Sequence, residues 1–120
     1  MSWRIAKSRW MQTVAALDSL AALSHPTRLD AFRLLVRHEP EGLSTGQLVD
    51  ASGLSQSTFS SHLAILVAAG LVVPEKRGRQ MIQRANITAL RDLMLFLAKD
   101  CCEGRAELCE PLVAELSDCC

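Results

Sequence analysis

The sequence predicts a mainly α domain with a small β-hairpin. Three observations lead there. The chain of 120 residues is 49% hydrophobic but only 4% aromatic, with no Tyr, so its core is aliphatic. Apolar residues recur at helical spacing in successive windows separated by Gly, Pro or Ser. One window alone, LVVPEKRGRQMIQRAN, reads as two strands around a glycine turn.

The elements follow in order. Val14, Leu17, Leu20 and Leu23 recur every three residues, which predicts an amphipathic helix over 13–23. Pro26 suits the first turn of a second helix, whose buried stripe is Leu29, Phe32, Leu35 and Val36; EPEG at 39–42 stops it. Ser44 and Gln47 have capping-box spacing, starting a short helix over 45–51. SGLS at 52–55 is a tight turn around Gly53. Ser55 caps the next helix, which turns Phe59, Leu63, Leu66 and Val67 inward and closes at Gly70. The hairpin bends at Arg77-Gly78, and Pro74 suits an edge strand. Thr88 is the expected cap of a last long helix over 88–100, carrying Leu90, Leu93, Met94 and Leu97.

Net charge is zero, but charge is segregated. Residues 1–38 hold six Lys/Arg against two Asp, and residues 55–91 hold five against one Glu. Residues 92–120 hold two against seven acids. A basic body with an acidic tail can bind a polyanion locally while staying neutral overall. No apolar run approaches the ~20 residues of a membrane span. The basic start MSWRIAKSRW followed by VAALDSLAAL imitates a signal peptide, but Asp18 interrupts it and helical spacing explains it better. A cytoplasmic location with free thiols is therefore expected, and five cysteines, an odd number, argue against a disulfide framework. Paired carboxylates, a nucleophile triad and a phosphate loop are all missing, so the sequence does not read as an enzyme.

TGQLVDAS-GLS-QSTFSSHLAILVAAG is two helices joined by a glycine turn. The second presents Gln56, Ser57, Thr58, Ser60, Ser61 and His62 near its start while Phe59 and Leu63 turn inward. A recognition helix needs short polar side chains there to reach base edges in the major groove. Lys76, Arg77 and Arg79 sit on the hairpin, where a wing can reach phosphates. Alone, each feature is explained by capping or solvation. Their order, helix, turn, helix, basic hairpin, helix, predicts binding of double-stranded DNA. His25 reads as a capping or surface residue, and His38 as a helix-end residue.

ALSHPTRLDAFRLL, LSQSTFSSHLAILVAAGLV and RGRQ resemble the arsenic-repressor (ArsR/SmtB) family of winged-helix metalloregulators. The match runs from about Met11 to Cys109. It leaves 1–10 as an N-terminal extension, 11–103 as a winged helix-turn-helix domain and 104–120 as a cysteine-containing tail. Met11 is then a candidate alternative start. The resemblance implies a homodimer paired through its first and last helices. It also implies repression of a metal-resistance operon and release from DNA when an ion binds.

Family members differ in where the ion ligands sit. STGQLVDAS has no cysteine, and helix 88–100 has Asp92 and Asp100 but no His, so two of the family's sites have no counterpart. DCCEGRAELC resembles members with an arsenite site at the end of the last helix, implying Cys101, Cys102 and Cys109 as ligands. Thiolates select soft ions. In one continuous helix Cys101 and Cys109 would lie ~12 Å apart, so Gly104, a poor helix former, has to let the chain turn back. Cys101 also continues the stripe Leu90, Leu93, Leu97 and fits an ordinary buried cysteine. Cys119 and Cys120 read as auxiliary. Antimonite, methylarsenite, Cd or Zn, and thiol redox sensing stay open as alternative inputs.

Overall fold

The computed structural model describes residues 7–100 and 106–119. The order is α1 (Lys7–Leu23), α2 (Pro26–Arg37), β1 (Leu43–Ser44), α3 (Thr45–Ser52), α4 (Gln56–Ala68), β2 (Val72–Arg77), β3 (Gln80–Ala85), α5 (Ile87–Leu95) and α6 (Ala106–Cys119). A π-helical turn, Phe96–Asp100, continues α5. This is a winged helix-turn-helix: mainly α, with a small antiparallel sheet of order β1-β3-β2.

Local chemistry explains most boundaries. Pro26 opens α2, and His25 Nδ1 caps it by accepting from Thr27 N. The capping box at α3 is reciprocal: Gln47 N donates to Ser44 Oγ at 3.1 Å and Ser44 N to Gln47 Oε1 at 2.9 Å. Gly53 takes a left-handed φ of 72° after α3, and Ser55 Oγ accepts from Thr58 N to start α4. Pro74 does lie on an edge strand, since β3 is the central one.

The core joins Phe32 and Leu35 of α2, Leu48 of α3, Phe59, Leu63 and Leu66 of α4, and Leu71 and Val72 at the start of the hairpin. Burial of these side chains is the main favourable term, about 1.5–3 kcal/mol each. Gln83 on β3 is buried too, and its Nε2 donates to Thr45 Oγ1 at 3.2 Å, fixing the sheet to the start of α3.

Several expectations change. In α2, Leu29 is 40% exposed and Ala31 takes the buried place. The stripe of α1 points outward except at Leu23, which packs against the core: Val14 and Leu20 are 40% exposed and Leu17 59%, while Ala16, Ser19 and Ala22 face inward. Small residues are what the close approach of α1 to the rest of the domain admits. The last long helix starts earlier than expected, at Ile87, because Asn86, two residues before Thr88, is its cap; Asn86 Oδ1 accepts from Ala89 N at 3.1 Å. Asn86 is held there by Leu71 O and Gly70 O, each 2.8 Å away. Its α geometry ends at Leu95 rather than near 100. β1 was not foreseen. α6 (Ala106–Cys119) was not foreseen either, and it carries Pro111 within it.

Candidate nucleic-acid interface

Building from α4, its first turns expose Gln56, Ser57, Thr58, Ser60 and Ser61, while Phe59 and Leu63 are buried between them. The 3.6-residue repeat makes that split. Some of these hydroxyls are already engaged. Ser55 Oγ donates to Thr58 Oγ1 at 2.9 Å, and Ser61 Oγ donates to Ser57 O at 3.3 Å. Gln56 and Ser60 make no side-chain hydrogen bond among the described residues. The result is an uncharged donor-acceptor surface on a rigid helix, suited to reading base edges.

His62 departs from this surface. It is half-buried on the flank of α4 facing α2. Its Nδ1 lies 3.2 Å from Nη1 of Arg28, and its ring centroid lies 4.4 Å from that of His25. Burial first, then the charges of His25 and Arg28, lowers its pKa from the usual imidazole value. Sequence reading missed this trio, because Arg28 and His62 are 34 residues apart and only the packing of α2 on α4 joins them.

The hairpin tip turns at Gly78-Arg79, and Lys76, Arg77 and Arg79 are all exposed. They are not equivalent. Arg77 donates to Glu41 O at 3.0 Å and pairs with Glu75 at 2.9 Å. Lys76 and Arg79 form no ion pair among the described residues. Arg84 is spent at the base of the wing: its guanidinium bonds both oxygens of Glu39 at 3.2 and 2.8 Å, and that bonding raises its pKa.

Of the cysteines, Cys101 and Cys102 lie outside the described residues, as do Gly104 and Cys120. Position 109 falls in α6. Position 119, at the end of α6, is ~15 Å further along the axis, from 1.5 Å per residue. Among the described residues no cluster of three His, Cys, Asp or Glu is placed to hold a metal. No helix among them is long and apolar enough to cross a membrane.

Comparison with known proteins agrees with this architecture. Residues 23–75 match the family described as "Helix-turn-helix domain". The HTH-type transcriptional repressor SmtB of Mycobacterium tuberculosis is 40% identical over 70 residues, 58% of this chain. The chain spans about half the length of that repressor, 50%. An ArsR-like transcriptional regulator from Rhodococcus sp. RHA1 superposes with a TM-score of 0.71 at 28% identity, covering 82% of this chain and 90% of that one. A possible transcriptional regulator for arsenical resistance superposes with a TM-score of 0.58 at 32% identity, covering 67% of this chain and 80% of that one. Fold and relatives are those of transcriptional regulators, not enzymes. The chain belongs to the ArsR/SmtB family of winged helix-turn-helix regulators.

Proposed function

We propose that this chain is the homodimeric repressor of an arsenic-resistance operon, released from its operator when trivalent arsenic is bound by Cys101, Cys102 and Cys109. The observation that carries the DNA-binding half is the exposed polar start of α4, together with two exposed cations, Lys76 and Arg79, on the wing. The dimer reading is supported by the outward apolar stripe of α1 and by exposed Met94, Leu95 and Leu97 at the end of α5. Faces of that kind mark association surfaces, and a twofold axis presents two recognition helices to successive turns of DNA.

The choice of ion is supported by thiolate softness and by the relative whose description names arsenical resistance. A ligand releases the repressor only by binding its DNA-free form more tightly, with a coupling of ~1–3 kcal/mol in typical systems.

The test is a DNA-release titration followed by fluorescence anisotropy, on a palindromic duplex selected from random sequence. Arsenite, antimonite, methylarsenite, Zn(II) and Cd(II) are compared on the wild type and on Cys102→Ser and Cys109→Ser. Arsenite should release the wild type, and both variants should stay bound. Normal release of the variants removes these cysteines from the site. The adjacent thiols of Cys101 and Cys102 favour one rival, a redox input. Peroxide release that dithiothreitol reverses, without an arsenite response, would establish it.

A further inference from the structure

Three basic side chains meet on the flank of α4. His25 caps α2, its Nδ1 accepting from Thr27 N at 3.1 Å. Arg28, in the same first turn, donates Nε to Ala22 O at 2.6 Å and so ties α2 to the end of α1. Its Nη1 lies 3.2 Å from His62 Nδ1. The two imidazole rings are 4.4 Å apart and tilted by 35°. All three side chains are half-buried.

Hydrogen-bond roles determine both tautomers. A guanidinium only donates, so His62 Nδ1 accepts. A backbone N–H only donates, so His25 Nδ1 accepts as well. Each neutral ring then carries its proton on Nε2. What remains on offer is N–H donors alone. No carboxylate is bonded to the cluster among the described residues. The charged or titratable groups facing His62 are His25 and Arg28 on α2. α4 has no other titratable side chain, and α1 contributes the Ala22 carbonyl. A metal ion would need imidazole lone pairs that are already committed. An anion needs donors, which this cluster has.

We propose that His25, Arg28 and His62 form a binding site for a phosphodiester group of the DNA backbone, on the groove wall beside the recognition helix. It rests on the reading of α4 as the helix that enters the major groove. At 3.6 residues per turn, His62 lies about 100° around the axis from Ser61. With Ser57 and Ser61 toward the bases, that flank faces a phosphate wall. A phosphodiester offsets the repulsion among the three basic groups, so His62 takes up a proton at Nδ1 as DNA binds, displacing the bond from Arg28 Nη1. Folded-state burial and like charge lower the His62 pKa in the free protein, and the phosphate raises it in the complex. Affinity therefore rises as pH falls through the imidazole range.

The experiment reads the His25 and His62 imidazole pKa values by NMR on the full chain. They are measured alone, with inorganic phosphate and with a mixed-sequence duplex at low salt. Anisotropy follows duplex binding from about pH 8 to about pH 6. The duplex should raise the His62 pKa, and affinity should rise several-fold across that range. His25→Gln and His62→Gln should each lose part of the rise. Duplex bound with the His62 pKa unmoved overturns the site and leaves the recognition helix standing. A response to inorganic phosphate without one to duplex assigns the cluster to a free anion and overturns the backbone contact. Failure to bind duplex at any pH overturns the DNA reading itself.

Discussion

Gln56 and Ser60 differ from their neighbours on α4 in having side chains that make no hydrogen bond among the described residues. Thr58 and Ser61 spend a bond each on the helix cap and backbone. A base contact by Gln56 should therefore be separable from backbone contacts on the wing. Gln56→Ala is expected to reduce discrimination between operator and scrambled duplex by ~1–3 kcal/mol. Lys76→Ala should weaken both duplexes alike and reduce the salt dependence of binding by about one phosphate contact. Arg77→Ala should change less, since Arg77 is tied to Glu75 and the Glu41 carbonyl. Anisotropy over a salt series with the two duplexes checks all three. Equal loss of discrimination in Gln56→Ala and Lys76→Ala would remove the distinction. The polar start of α4 was legible in the sequence because spacing alone separates its two faces. The bond of Arg77 to the Glu41 carbonyl, and those of Arg84 to Glu39, were not, because they join residues 36 and 45 positions apart.

Elements show how local signals divide from long-range ones. The caps of α2, α3 and α4 are local, and Pro26, Ser44 and Ser55 placed them from sequence. α5 has two residues that can cap, Asn86 and Thr88, and the hydrogen bonds of Asn86 to Leu71 and Gly70 decide between them. β1 is too short to have a period, and only pairing of Leu43 and Ser44 with Gln83 and Ile82 makes it a strand. Gly42 precedes that strand with a φ of 73°, and an added Cβ would lie 2.6 Å from Gln83 O and 2.8 Å from Arg84 Cγ and Ile82 Cγ2. Gly53 has a similar φ of 72° but open space around it. Both alanine variants suffer the left-handed strain of ~1–2 kcal/mol, and Gly42→Ala also forces β1 from β3. Urea denaturation should show Gly42→Ala as clearly the less stable of the two; equal losses would mean that the contact with β3 yields freely.

At the scale of the whole molecule, the apolar exposure on α1 is a geometric fact with an associative consequence. Leu17, 59% exposed, lies opposite the face that Ala16, Ser19 and Ala22 turn to the core. If that stripe is covered by a second copy, Leu17→Glu buries unpaired charges on both sides of the twofold axis. It should shift the protein from dimer to monomer in size-exclusion chromatography with light scattering, and weaken operator binding with it. A variant that stays dimeric would place the interface elsewhere.

The chain's order of helices, its caps, its turn at Gly53, its basic hairpin and the polar face of α4 were determined by sequence alone. These features rest on periodicity and on interactions within a few residues. Which face of α1 points inward, which arginines are consumed by ion pairs, and the meeting of His25, Arg28 and His62 were decided only by tertiary structure. An apolar stripe is the same sequence signal whether it meets its own core or another protein. A cation is equally basic whether paired or free. In both cases the deciding partner is distant in the chain and enters only through packing.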